Sequence, residues 1–244
     1  MISLLIWMSA SSAGDTFSLS ADVGGTARFV ENVAHADPSG FGLELGARAE
    51  LDALLQARID VHYVEGKAFN PDEDRLFDLS AAISSPALLF LCADVQEIGF
   101  RESSRPGDDL FYLHAGLGAK GRLGVRLKAS LGMTYLSADG VDAVDRPHAF
   151  GGYVGAELVA RTRVIDATLR GTPFLAFRDS RVYAGVMADG DLTVKIPVGP
   201  VFLGPRLDVS YRNLGLNHRD DELFGQRQEL TGHLSLAVHW GVGG

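Results

Sequence analysis

One pattern constrains this chain more than any other: apolar and polar residues alternate with a period of two over nearly its whole length. From 17 to 29 the odd positions read Phe17, Leu19, Ala21, Val23, Gly25, Ala27, Phe29. The even ones read Thr16, Ser18, Ser20, Asp22, Gly24, Thr26, Arg28. Successive side chains of an extended strand point to opposite faces, so the segment is a strand with one apolar and one polar side. The pattern returns at 41–51, 55–63, 77–83, 87–99, 111–117, 123–135, 150–160, 165–175, 182–196, 201–211 and 230–240. No helical period intervenes. Only 87–99 departs, because Leu88 to Cys92 are apolar on both faces. The Asp189-Gly190 pair, a usual hairpin signal, falls inside an unbroken alternation and is read as strand.

The connections carry as much information as the strands. Short links are expected near 52–54, 84–86, 120–121, 161–163 and 197–200. Longer polar links are expected near 31–40, 66–74, 100–109, 137–148, 177–180 and 213–227. Twelve antiparallel strands with short turns at one end and long loops at the other place both termini at the short-turn end, as in an outer-membrane barrel.

Composition narrows the class further. A net charge of −9 argues against a nucleic-acid surface, which needs clustered Lys and Arg. Cys92, the single cysteine, excludes an internal disulfide framework and a multi-Cys metal site, and is read as a buried filler in a strand. No apolar run reaches the ~18 residues of a spanning helix. Residues 1–14 read as a signal-peptide-like segment: Ile2 to Met8 are mainly apolar, and Ser11 and Ala13 are placed like the small residues of a cleavage site. Residues 15–244 read as one barrel domain.

Alternation alone leaves open which face points inward. The polar face carries Glu44, Arg48, Arg58, Asp60, Arg126, Lys128, Glu157, Asp166, Arg170, Arg206 and Asp208 in mid-strand. They are interspersed with Gly42, Gly46, Gly116, Gly118, Gly124, Gly132, Gly151 and Gly155, which suit a crowded interior. On the apolar face Phe29, Phe41, Tyr63, Phe77, Phe111, Tyr135, Phe150 and Tyr211 gather at the long-loop ends, with Phe17 and Trp240 at the other rim. Aromatic rings at both edges of an apolar band form a membrane-interface girdle. Strands of about 11–14 residues tilted near 40° also match an apolar band of roughly 25 Å.

In alternation, girdles and loop asymmetry the chain resembles the bacterial outer-membrane β-barrel superfamily across residues 15–242. The resemblance implies a closed antiparallel transmembrane barrel of about 12 strands in a Gram-negative outer membrane, contacting membrane lipid and lipopolysaccharide and inserted by the barrel-assembly machinery. Two features depart from it. Gly241-Val242-Gly243-Gly244 follow Trp240, where such barrels commonly end on an aromatic residue, and Pro205 lies within a strand, where a bulge or frayed end is expected.

The lumen charges are the richest candidate site. Arg48, Arg58, Arg126, Lys128, Arg170 and Arg206 form a potential basic ladder for anionic solutes, or pair with the acids to hold the barrel's shape. A passive porin-like channel, or a structural barrel with a salt-bridged lumen, is the function expected. No cofactor or metal is implied. The alternatives are a lipid-modifying enzyme and a soluble periplasmic barrel for an apolar ligand. His233 and Ser235 form a His-x-Ser pair similar to that of outer-membrane phospholipases, and His62, His114 and Tyr112 sit near the outer rim, where a lipid A-modifying site would lie. Asp72-Glu73-Asp74, Asp108-Asp109 and Asp220-Asp221-Glu222 make the long loops acidic without the spacing of an EF-hand, and could bridge to lipopolysaccharide through divalent cations.

Overall fold

The alternating tracts become strands β1 (Thr16–Asn32), β2 (Gly40–Asp52), β3 (Gln56–Glu65), β4 (Arg75–Ser84), β5 (Leu89–Arg101), β6 (Leu110–Leu123), β7 (Val125–Ala138), β8 (His148–Arg161), β9 (Ile165–Arg178), β10 (Arg181–Val194), β11 (Ile196–Val198), β12 (Val201–Asn213) and β13 (Gln226–Val242). The computed structural model describes these strands and residues 162–164, 195 and 199–200. Side chains in most of β4 and β5, among them Phe77 and Cys92, and those of His62 and Phe111, lie outside the described set. So do the signal-peptide-like segment and the three acidic loop clusters.

Every pairing is antiparallel. From β1 to β10 each strand pairs with its sequence neighbours. β10 then pairs with β12, β12 with β13, and β13 with β1 along nearly its full length, from Phe17↔Val242 to Asn32↔Gln226. The chain of pairings therefore returns to its start, and no long strand is left with an unpaired edge. β11 is the continuation of β10: Thr193 faces Arg206 and Ile196 faces Leu203 in one register. The architecture is a ring of twelve strands, one of them interrupted at Lys195.

That interruption has a cause in the sequence. On the β13 side, β12 runs through Pro205↔Leu236 without a register shift. On the β10 side, pairing stops at Arg206 and resumes at Leu203. Proline has no N–H to give the ladder, so the break falls on one side only. The Lys195 N–H instead donates to the Val164 carbonyl at 2.6 Å, tying the break to the β8–β9 turn.

Two connections differ from the sequence reading. The short link expected at 120–121 lies further on: β6 continues to Leu123 and β7 begins at Val125. The long link expected at 177–180 is two residues, because Arg178 pairs with Arg181. The Asp189-Gly190 pair lies within β10, opposite Ser210 and Val209.

Candidate functional site

The alternation resolves into two surfaces of opposite character. Leu45, Leu117, Leu131, Val154, Leu169, Leu207 and Leu234 point outward and are exposed, whereas Glu44, Thr134, Arg206 and His233 point inward and are buried. On β7 the contrast is sharp: Leu131 is 64% exposed and Thr134 only 1%. An apolar exterior around a charged interior is the inverse of a water-soluble barrel and the form of a transmembrane one. Phe29 meets Phe41 edge-on at 6.3 Å, and Tyr135 lies 4.8 Å from Phe150, all at the long-loop end. Phe177 joins this outward band, while Phe17 and Trp240 stand exposed at the other rim. Tyr63 and Tyr211 are half-buried at outward positions.

The interior has three zones. The central one joins Asp22 on β1, Arg48 on β2, Asp60 on β3, Asp191 on β10, and Arg206 with Asp208 on β12. Arg48 pairs closely with Asp60, then reaches Asp191 at 3.0 Å and Asp208 at 3.3 Å. Arg206 contacts Asp22 at 3.2 Å, Asp191 at 3.2 Å and Asp208 at 2.7 Å. In the ring β2 and β10 are separated by β1, β13 and β12, so these pairs cross the lumen. Gly46, opposite Asp22, makes the approach possible: a Cβ there would lie 2.5 Å from an Asp22 carboxylate oxygen. Guanidinium groups present several N–H donors in one plane, which lets each arginine hold acids from different strands. Arg58 adds a 2.5 Å bond to Asp60.

The second zone fills the long-loop half. On one side Glu229 accepts from Arg28 at 2.9 Å, Arg212 at 3.3 Å and Thr231 at 2.9 Å. Beside it, the Thr26 hydroxyl donates to Glu44 at 2.7 Å, and His233 Nδ1 lies 2.5 Å from the same carboxylate oxygen. Across the lumen Tyr112, His114, Leu136, Tyr153, Phe174, Tyr183 and Met187 are packed and buried. The His114 ring lies 4.9 Å from Tyr153 and 6.3 Å from Phe174. The Phe174 ring covers Gly185, where a Cβ would come within 2.1 Å of it.

The third zone is the short-turn half of β6 to β9, and it is less tightly closed. Glu157 holds Lys128 at 3.0 Å and Arg170 at 2.9 Å. Lys195 pairs with Asp166 at 2.8 Å. Arg161 on β8 reaches Glu50 on β2 at 2.9 Å, although the two strands are six apart in either direction around the ring.

The structure thus gathers Arg48, Arg58, Asp60, Arg206 and Asp208 in one cluster and Lys128, Glu157 and Arg170 in another. Asp166 sits with Lys195, and Glu44 with Thr26 and His233. Arg126, half-buried on β7, faces Val159. The single basic ladder is broken up, since Arg48, Arg58 and Arg206 are bound to aspartates. Sequence reasoning passed over Asp22, Arg28, Asp191, Arg212 and Glu229 as site residues, although each carries the inward parity of its strand.

Of the residues behind the enzymatic alternatives, the side chain of His62 lies outside the described set. His233 Nδ1 is engaged by Glu44 and Thr26, and the buried Ser235 hydroxyl has no hydrogen-bond partner among the described residues. A nucleophile needs its base within reach. His114 and Tyr112, expected near the outer rim, lie in the long-loop half of β6 and are buried inside the lumen. No group of three or more His, Cys, Asp or Glu is placed to hold a metal among the described residues.

No protein-family model and no curated protein sequence matches the chain. Among solved structures it is similar to the translocator domain of autotransporter NalP from Neisseria meningitidis, at 12% identity and a TM-score of 0.42, covering 98% of this chain and 94% of that one. It is also similar to a deltaS2 mutant of the TodX monoaromatic hydrocarbon channel, at 13% identity and 0.37, covering 98% and 92%. A third is the outer membrane channel DcaP of Acinetobacter baumannii, at 11% identity and 0.36, covering 95% and 99%.

Proposed function

We propose that the protein is an outer-membrane barrel acting as a narrow passive channel for small polar solutes. The supporting observation is the pairing of an exposed apolar exterior with an interior of charged side chains that meet across the lumen. The Arg48–Arg206–aspartate cluster is the constriction of this channel. A fixed field of guanidinium and carboxylate groups in a confined space selects solutes by size and charge without any chemical step. Purified protein in planar bilayers should give small, ohmic, ion-conducting steps. A second reading, a structural barrel with a closed lumen, is favoured by the complete burial of Arg28, Arg206, Tyr112 and Leu136. The same recording separates the two: correctly folded protein that inserts and never conducts is a closed structural barrel.

A further inference from the structure

Arg161 on β8 and Glu50 on β2 stand six strands apart whichever way the ring is followed, so their ion pair bridges opposite walls at the short-turn mouth. Arg161 Nη2 holds Glu50 Oε2 at 2.9 Å. Both side chains rise from firm bases. β8 ends in a turn where the Thr162 N–H donates to the Ile165 carbonyl at 2.8 Å and the Ile165 N–H donates to the Thr162 hydroxyl at 2.8 Å. The Lys195 N–H ties the same turn down through Val164. Glu50 is paired on both sides of β2, with Ser18 and Arg58. Only the side chains are left to move, and each has an opposite charge on its own wall. Asp166 lies directly across from Arg161 on β9, and Arg58 directly across from Glu50 on β3. Arg58 Nε is 4.0 Å from Oε1, the other oxygen of the Glu50 carboxylate. Asp166 holds Lys195 through Oδ1 at 2.8 Å, and a carboxylate accepts through both oxygens.

We propose that Arg161 is a two-position strap across the short-turn mouth: paired with Glu50 it bars the lumen, and swung back onto Asp166 it leaves the lumen open. This strap presupposes the channel reading and adds how entry is regulated. Opposite charges directly across an antiparallel pair attract one another. Opening therefore exchanges an ion pair over the lumen for one along the wall, while Glu50 falls back on Arg58, so the two states lie close in free energy. A small bias shifts such an equilibrium. Ionic strength supplies it. Arg161 is 43% exposed and Glu50 21%, so salt screens their attraction. Holding two long side chains stretched over the lumen also costs rotamer freedom, which favours opening once the attraction weakens. The inner crossing from Arg48 to Asp191 is only 10% exposed at both ends and is screened far less. The strap is thus the salt-sensitive closure, and the central cluster the fixed one.

The test is thiol accessibility in detergent-folded full-length protein, with folding of each variant verified by unboiled electrophoretic migration. In a Cys92→Ser background, Ser130→Cys puts a thiol on the inward face of β7, opposite Gly155 and so deeper in the lumen than Arg161 along β8. Iodoacetamide, small and uncharged, reports how readily a solute passes the mouth. Glu50→Gln removes the far anchor and should raise the alkylation rate about twofold to fivefold, the range an exposed ion pair commands. Asp166→Asn removes the resting place and should lower the rate. Raising sodium chloride to molar concentration should speed alkylation in the parent and leave the Glu50→Gln rate unmoved. A rate indifferent to Glu50→Gln, or a salt response that parent and Glu50→Gln share, overturns the proposal. A second measurement needs no lumen thiol: Glu50→Cys combined with Arg161→Cys in the same background should be joined by a short bis-maleimide, and failure to join them also overturns it. Both are read without conductance. A protein with the expected rates that never conducts keeps the strap and loses the channel, and one that conducts with rates indifferent to Glu50 does the reverse.

Discussion

Arg206 is the residue on which most of the interior depends. Its guanidinium is fully buried and holds Asp22, Asp191 and Asp208, drawn from three strands. Removing one partner from a buried ionic network leaves the others desolvated and uncompensated, which costs about 3–5 kcal/mol. Arg206→Ala should therefore lower stability by that amount in urea unfolding from lipid vesicles. Arg206→Lys should recover only part of it, because an ammonium lacks the planar fork. The exposed Arg161–Glu50 pair, of similar length, provides the contrast: Arg161→Ala should cost less than about 1 kcal/mol. On the other face, Leu131→Arg puts a cation near the middle of the apolar band and should cost about 2–4 kcal/mol. A tolerated Leu131→Arg would show that this face does not meet lipid.

At the scale of the strand, period-two parity transmits most of the structure. It places Asp22, Asp60, Arg206 and their neighbours inward before any coordinate is known. It fails where a turn conserves parity. Gly121, Leu123, Val125 and Leu127 are all odd, so alternation passes through the β6–β7 turn without marking it. The polar run Arg178-Asp179-Ser180-Arg181 reads as a loop, yet its ends pair as strand. Ion pairs between distant strands, such as Arg48 with Asp191, are set by closure and strand tilt, and neither is a local property of the sequence. Tyr153, Phe174 and Tyr183 do sit at inward parity, so the aromatic packing was legible there and overlooked. It also gives a prediction. Gly185→Ala in β10 should destabilise by about 1–3 kcal/mol through overpacking against Phe174. The double variant Gly185→Ala/Phe174→Leu should lose less than the two single costs combined, and strict additivity would place the ring elsewhere.

For the whole molecule, ring closure governs behaviour. The folded protein should migrate faster unboiled than boiled, since the paired ring resists detergent until heated. Identical migration by protein shown to be folded would count against the barrel. Arg48 spans from β2 to the β10 and β12 wall, so Arg48→Ala should widen the constriction. The expected outcome is a larger single-channel conductance, measured in bilayers, with heat-modifiability retained. Unchanged conductance would move the constriction to the aromatic half of the lumen.

The seam between β1 and β13 has a consequence of its own. Phe17 stands opposite Val242, so the first and last strands are hydrogen-bonded neighbours ending at the same rim. Around the ring this seam is one interstrand pairing among twelve, set apart in its register by a shift between Glu31 and Asn32 near the long-loop end. The order in which the strands are synthesised is then separable from the order in which they sit. A circular permutant, joined from residue 242 back to 16 by a short Gly-Ser bridge and opened between β7 and β8, should reach the same barrel. Its slowest contact would form between β7 and β8, the pair now most distant along the chain, while β1 and β13 become a local hairpin.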